Sequence, residues 1–321
     1  MILTVTPNPA LDLTWHVDRL VPGATHRVAA GAARAGGKGI NVARVLHGEG
    51  HEVLALATVG GGTGDEFADE LGASGIRHRL LPVAGATRRS VAIVDETNGE
   101  ASVLNEHGAG LTPAESATLV TTAIGLGRTA RAVAICGSLP PGFEPDGLAA
   151  LVAELAGAGV PVVVDTSGPG LVAAARAGAF ALKPNREELA AATRLESPAD
   201  GALALLELGA RLVVVSLGAE GLMVVSRADA AGGIHARLPR VLHGNATGAG
   251  DAAVAAIAAA LGEEPELDAP TPAGASARTR LARRATAWSA SAVLMPLAGS
   301  LSPDHGALEA EVVVTTAEVP A

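Results

Sequence analysis

Short apolar runs alternate with alanine- and leucine-rich stretches along almost the whole chain, and that rhythm limits the fold more than any other feature. Ile2–Thr6, Val53–Val59, Ile76–Leu81, Ala132–Cys136, Val160–Asp165, Ala179–Leu182 and Leu212–Ser216 read as strands. Such runs, apolar on both faces, suit the central strands of a parallel sheet. Helices are predicted over Gly39–His47, Asp65–Ala73, Thr112–Ile124 and Arg278–Leu294, and Thr112 and Glu115 stand at capping-box spacing. Alternating β and α units imply a layered α/β sheet that binds ligands at the carboxyl ends of its strands. Gly262–Ala277, rich in Pro, Ala, Glu and Gly, reads as a loop between two helices.

Two segments break the rhythm. Leu13–Ala33 and Arg88–Leu104 have the mixed polarity of half-exposed strands, with a hairpin turn predicted at Asn98-Gly99. Together they form either a small β-sheet standing off the main body as a lid, inserted from about 13–34 and 86–107, or two long surface hairpins. A lid sheet needs cover for its apolar face, which a second copy's lid would supply. One domain over 1–321 is expected, without internal repeats.

The core must be aliphatic: about half of the 321 residues are hydrophobic, yet there is no tyrosine, and phenylalanines number three and tryptophans two. A formal charge of −10 without a basic block argues against nucleic acid or an anionic membrane as partner. Cys136 stands alone, which fits a reducing cytoplasm. The opening MILTVTPNPALD lacks the pattern of a signal peptide, and no run approaches the roughly 20 apolar residues of a membrane helix. A soluble cytoplasmic protein is expected.

Chemistry concentrates in two glycine clusters. Gly244-Asn245-Ala246-Thr247-Gly248-Ala249-Gly250-Asp251 precedes the helical run Ala252–Leu261. Glycines there let backbone amides converge, and the helix start adds unpaired N–H groups and a positive dipole end, which make an anion site. Asp251 would stand beside a bound phosphate, kept ionised by the helix start and ready to accept a hydroxyl proton. Alone, the same residues read more plainly as a glycine turn with an aspartate cap. Ala35-Gly36-Gly37-Lys38-Gly39-Ile40-Asn41 opens a second helix, and Asn41 carries both donor and acceptor for sugar hydroxyls. It is neither a Walker A loop nor a dinucleotide fingerprint, and its plain alternative is a packing turn. His47 and His51 have the spacing of metal ligands on a helix, but the intervening glycines argue against both helix and metal.

In this order the two clusters resemble the signatures of the ribokinase-like (PfkB) carbohydrate kinase family. Thr6-Pro7-Asn8-Pro9-Ala10-Leu11-Asp12 is similar to the opening of its phosphosugar branch, which includes 1-phosphofructokinase and tagatose-6-phosphate kinase. Gly137-Ser138-Leu139-Pro140-Pro141-Gly142, Lys183-Pro184-Asn185-Arg186-Glu187-Glu188 and Ser216-Leu217-Gly218-Ala219-Glu220-Gly221 are similar to further blocks of that branch. The resemblance implies a three-layer α/β/α sandwich with a small β-sheet lid, ATP and Mg²⁺ as cofactors, and a homodimer joined through the lids.

It also implies roles. Asp251 would be the general base, with the amides of Ala249, Gly250 and Asp251 and the turn at Gly248 forming an anion hole for the transferring phosphoryl group. Asp12, Gly37, Lys38 and Asn41 correspond to sugar-side positions. Arg88 matches the arginine that grips the substrate's own phosphate, where a guanidinium fork fits, with Ser138 and, from the lid, Arg27 as helpers. Lys183, Asn185, Ser216, Gly218, Gly221 and Thr247 fall on the nucleotide side, with Glu188 reaching Mg²⁺ largely through water. Adenine would lie between the 249–261 helix and Ala290–Gly299. Asn245-Ala246 replaces the Asp-Thr usual in simple-sugar kinases, which argues against monovalent-cation activation and for the phosphosugar branch. The implied reaction is ATP-dependent phosphorylation of fructose 1-phosphate, fructose 6-phosphate or tagatose 6-phosphate, with a lean toward the first. The rival readings are a kinase for an unphosphorylated sugar or nucleoside, and a catalytically silent sugar-phosphate-binding regulator.

Overall fold

The computed structural model describes residues 1–318. Its strands are β1 Ile2–Thr6, β2 Ala10–Val17, β3 Ala32–Gly36, β4 Val53–Val59, β5 His78–Pro82, β6 Arg88–Asp95, β7 Ala101–Asn105, β8 Ala132–Cys136, β9 Val162–Asp165, β10 Ala181–Leu182, β11 Leu212–Ser216, β12 Leu222–Ser226, β13 Asp229–Arg237 and β14 Val313–Glu318. The helices are α1 Lys38–Gly48, α2 Gly61–Ala73, α3 Pro113–Gly127, α4 Pro145–Gly157, α5 Pro169–Arg176, α6 Arg186–Thr193, α7 Pro198–Leu208, α8 Ala249–Glu263, α9 Pro272–Val293 and α10 His305–Glu311.

The main sheet runs β14-β13-β12-β11-β10-β9-β8-β1-β4-β5. From β11 to β5 every neighbouring pair is parallel, and β12, β13 and β14 extend it antiparallel. The parallel strands are the short runs picked out in the sequence, and all but the edge strand β5 are almost fully buried. Helices α1, α2, α8, α9 and α10 pack on one face and α3 to α7 on the other, each with its own aliphatic core. The result is a three-layer α/β/α sandwich. Helix α8 is buried on every side from Asp251 to Leu261. Its alanines allow this, because small side chains let it lie close against both α1 and α9. From β1 the chain steps outward to β4 and β5, then returns through β8 to the other flank of β1. That reversal opens a crevice at the carboxyl ends of β1 and β8, where ligands bind in such sheets.

A second sheet, β3-β2-β6-β7, is the lid. Its register aligns Arg34, Asp12, Ser90 and Asn105 in one row across all four strands. The stem is tied down twice. The Glu70 carboxylate accepts from the Ala35 N–H at 2.8 Å and from buried Arg44, and Arg34 Nη1 donates to the Ala298 carbonyl at 2.8 Å. Gly36 has to be glycine, since a Cβ there would run into the Asp12 carboxylate.

Three expectations change. The segment 18–31 holds no strand, so the first lid segment contributes only β2 and β3 at its ends. Half of the expected 262–277 loop is helical: α9 begins at Pro272, capped by the Thr271 side chain, which accepts from the Gly274 N–H at 3.2 Å. A threonine before a proline at the first helical position is a start signal that overrides the loop-like composition. The antiparallel edge β12 to β14 has no counterpart in the strand reading. The capping box at Thr112 and Glu115 is present, and the turn at Asn98-Gly99 closes with Gly99 N–H donating to the Asp95 carbonyl.

Candidate active site

A cavity of about 910 Å³ lies between the carboxyl edge of the main sheet and the lid. Segments far apart in sequence line it: Asp12 from β2, Gly37, Lys38 and Asn41 at the start of α1, Arg88 opening β6, Ser138 after β8, Lys183, Asn185 and Glu188 around α6, Ser216 ending β11, and Thr247, Gly248, Gly250 and Asp251 at the start of α8.

Asp251 sits in the first turn of α8, with Gly248 in a left-handed conformation (φ 87°) as the N-cap. Among the described residues no hydrogen bond occupies the N–H of Gly250 or of Asp251, so both remain available to an anion. The N–H of Ala249 donates to the Ala246 carbonyl at 3.2 Å. The turn that shapes the loop therefore removes one of the three expected amides. The Asp251 carboxylate is buried and accepts from Asn41 Nδ2 at 2.8 Å. Asn41 thus holds the carboxylate, although the sequence placed it on the sugar. Burial raises Asp251 to about 6, and Lys38, the Asn41 hydrogen bond and Lys183 only moderate that rise. The helix dipole was expected to keep this group firmly ionised; desolvation outweighs it, and the charge is present in full only above that value.

Two lysines face the Asp165 carboxylate. Lys38 Nζ stands 3.2 Å from Asp165 Oδ1 and 3.8 Å from Glu188 Oε1, and buried Lys183 Nζ stands 3.7 Å from Asp165 Oδ1. Burial alone would lower Lys38, but Asp165 and Glu188 push it well above the usual lysine range, so it is a permanent cation. Asp165 is the residue that the sequence reading missed. It ends β9, fully buried, and its Oδ2 has no partner among the described residues. Asn185 and Glu188 form a capping box on α6: Glu188 N–H donates to Asn185 Oδ1 at 2.7 Å, and Glu188 Oε2 accepts from the Asn185 N–H at 2.9 Å.

On the lid side, Arg88 Nε and Nη2 donate to the Asn8 carbonyl at 3.3 and 3.4 Å, and Nη1 donates to the Glu106 carbonyl at 3.3 Å. Arg89, next in the strand, is exposed and lines none of the cavity. Burial pushes Asp12 up to about 6; the Arg88 guanidinium works against that rise and the Asp251 carboxylate adds to it.

A second cavity, about 560 Å³, adjoins the first and shares Asn185, Ser216 and Gly250 with it. Gly218, Gly221, Ala249, Ala290 and Val293 line it, together with Gly244 and the 238–243 segment before it, which the sequence reading did not single out. Gly218 (φ 63°) faces open space, whereas a Cβ at Gly221 (φ 92°) would strike the Ala236 carbonyl, so Gly221 is also required by packing against β13.

Residues 7–304 match the pfkB family of carbohydrate kinases. The chain belongs to that family. It is 38% identical over 268 residues to 1-phosphofructokinase of Xanthomonas campestris pv. campestris, spanning 81% of this chain and 83% of that one. It is 34% identical over 261 residues to 1-phosphofructokinase of Escherichia coli K12, covering 80% of this chain and 82% of that one. Among solved structures, phosphofructokinase-2 from Escherichia coli in complex with fructose-6-phosphate superposes with a TM-score of 0.83 at 29% identity, over 96% of this chain and 98% of that one. A pfkB chain of this kind is an ATP-dependent carbohydrate kinase, with the ribokinase-like fold that the sequence implied.

Within this pfkB kinase, one candidate stands apart. Arg27 lies in the exposed 18–31 segment and does not line the cavity of its own chain. Ser90 and Asn105 line it instead, side by side with Asp12 in the lid register. Strand alternation from Arg88 would have found Ser90, two residues on and facing the same way. The histidines at 47 and 51 bring no metal cluster. His51 pairs with Glu263 at 3.6 Å and lies near the Trp288 ring, and no group of three potential ligands occurs among the described residues.

Proposed function

We propose that this kinase transfers the terminal phosphoryl group of ATP to a free hydroxyl of a ketohexose phosphate, giving a bisphosphate and ADP, with fructose 1-phosphate as substrate and Asp251 as general base. One observation carries the reading: a buried carboxylate at a helix N-terminus with two free amides shares a cavity with a half-buried arginine that keeps donors to spare. The attacking oxygen bonds to the terminal phosphorus, the bond to the bridging oxygen breaks, and Asp251 takes the hydroxyl proton. The amides of Gly250 and Asp251, with Lys38 and Lys183, face the charge on the transferring group. Asp12 receives the sugar's hydroxyls, and Arg88 and Ser138 its phosphate.

The second cavity accommodates the nucleotide, with Gly218 at the phosphates and the apolar wall of Ala290 and Val293 at the base. Asp165, with its unpartnered buried oxygen, and Glu188 offer the hard oxygen donors that Mg²⁺ takes; the ion would supply charge neutralisation on the nucleotide phosphates. The names of the relatives, 1-phosphofructokinase, support fructose 1-phosphate as substrate. The enzyme works in the cytoplasm, where ATP and phosphosugars are found, as a homodimer joined through the lids. The exposed Val103 and Leu104 on β7 support that assembly, and light scattering after gel filtration checks it.

The test is ADP release with a panel of fructose 1-phosphate, fructose 6-phosphate, tagatose 6-phosphate, fructose and ribose. The highest kcat/KM is expected with fructose 1-phosphate. Preference for another phosphosugar replaces the named substrate, and turnover of free sugars alone rejects the phosphosugar reading.

A further inference from the structure

Asn8, in the Pro7-Asn8-Pro9 turn between the two sheets, is 7% exposed, and its side-chain amide N–H groups and main-chain carbonyl all bond to residues that line the cavity. Its Nδ2 donates to Ser138 Oγ at 2.9 Å and to the His107 carbonyl at 3.0 Å. Its main-chain carbonyl accepts from Arg88 Nε and Nη2. Its Oδ1 lies against Gly108, where φ is 91° and a Cβ would collide with that oxygen. Both side-chain N–H donors of Asn8 are used within the protein, so its side chain acts through its neighbours.

We propose that Asn8 is the positioning residue that presents the Ser138 hydroxyl and the Arg88 guanidinium to the phosphate already carried by the substrate. The inference rests on the phosphosugar reading above and adds to it how the phosphate site is built. A serine hydroxyl has one hydrogen and two lone pairs. Because Asn8 donates to Ser138 Oγ, one lone pair is occupied and the hydroxyl hydrogen is free to point at an acceptor in the cavity, which Ser138 lines. Without Asn8 the hydroxyl can turn and donate elsewhere. Arginine has five N–H groups. Two of them are held by the Asn8 carbonyl and one by the Glu106 carbonyl, which leaves the end of the guanidinium open to a phosphate in the two-pronged geometry that phosphate favours. The bond to His107 fixes the segment that leaves the lid after β7, so one side chain joins β1, the turn after β8 and the lid exit.

The test measures fructose 1-phosphate affinity by calorimetry and both KM values by ADP release, for wild type, Asn8→Ala, Asn8→Asp, Ser138→Ala and the double variant Asn8→Ala/Ser138→Ala, with melting curves recorded alongside. Losing one hydrogen bond to a charged group corresponds to about ten- to a hundredfold in affinity. Asn8→Ala is expected to raise Kd and KM for the sugar phosphate by about that factor, with KM for ATP within about twofold. Asn8→Asp keeps the shape beside Gly108 but loses both donors, and is expected to follow the same pattern even where the alanine variant folds poorly. The double variant should lose less than the product of the single losses, because the two residues act on one contact. Three results overturn the inference: equal sugar-phosphate affinity in wild type and both Asn8 variants, both KM values rising together, or purely multiplicative losses. Each of these leaves the phosphosugar reading standing. A wild-type protein with no affinity for any sugar phosphate overturns both.

Discussion

Replacing Asp251 by asparagine separates what the carboxylate does for chemistry from what it does to the fold. In the folded protein the group titrates at about 6, against 3.8 when unperturbed, because burial disfavours its charge more than Lys38 and Lys183 favour it. Below pH 3.8 the carboxyl is neutral in folded and unfolded chains alike and has no effect on stability. Between 3.8 and about 6 the unfolded chain ionises first, so stability is progressively lost as pH rises, and above 6 the loss is complete. The difference of about two units corresponds to about 3 kcal/mol. Asparagine never ionises and its oxygen still accepts from Asn41, so the variant avoids this loss. With an unfolding entropy of about 2 cal/mol/K per residue, the whole chain gives about 0.7 kcal/mol per degree, and the variant gains about 4 °C. Differential scanning calorimetry of wild type and Asp251→Asn from pH 4 to 8 should show melting temperatures that nearly coincide at the acid end and diverge through pH 6. Over the same range kcat should be lower by about three or more powers of ten, the combined scale of general-base and positioning effects. A variant less stable than wild type at pH 8, or a difference independent of pH, would refute the argument, because the carboxylate would then be stabilised in its charged form.

Other outcomes follow from the same geometry. The acid limb of the kcat profile should fall near pH 6 and not near 4, since Asp251 must be ionised to accept a proton and is raised to about 6; stopped assays from pH 5 to 8 with each substrate saturating check this. Arg88→Ala should raise KM for the sugar phosphate by about tenfold or more, the scale of a charge-assisted hydrogen bond, and leave KM for ATP within about twofold. Equal effects on both would remove Arg88 from the phosphate site. Gly248→Ala forces a left-handed alanine and puts its Cβ about 2.7 Å from that of Ala298. It should cost about 1–2 kcal/mol in stability from the backbone alone and lower kcat by displacing the amides after it, read from urea melts and initial rates.

The parallel half of the sheet was legible in the sequence because burial on both faces leaves uninterrupted apolar runs such as Ala132–Cys136. The antiparallel edge was not. In β13 (Asp229–Arg237), glycines and polar residues mix as they do in a loop, and its pairing with β12 and β14 is a tertiary fact. The site divides in the same way. Gly37, Lys38, Asn41, Gly248, Gly250 and Asp251 stand in local clusters that interrupt the periodic pattern, so they could be picked out one by one. Asp165 could not: it is the last residue of an apolar strand, and only the fold brings Lys38 and Lys183 to it. Ala249 shows the converse, a local expectation of a free amide undone by a hydrogen bond three residues back. The raised titration of Asp251 was equally hidden, since the helix start is visible in sequence and the surrounding burial is not.

The placement of the motif residues has a topological cause. The chain passes between the main sheet and the lid four times: after β1, before α1, before β6 and after β7. Asn8, Gly37 with Lys38, Arg88, and Glu106 with His107 stand at those passages, and all line the same cavity. A passage between two sheets cannot continue the period of either, so it is built from proline, glycine and polar residues, whose side chains and main-chain groups are not consumed by a ladder. Those are also the groups that can face a polar substrate. The lid therefore contributes its stem as well as its covering face, which explains why the stem is tied through Glu70, Arg44 and Arg34 while the far edge, with Val103 and Leu104, is left exposed. A change at the tip should leave the geometry around Arg88 intact. A change at the stem, such as Glu70→Ala, should free the Ala35 N–H and loosen Asp12 and Arg88 together. A rise in KM for sugar phosphate, with KM for ATP unchanged, would be its signature.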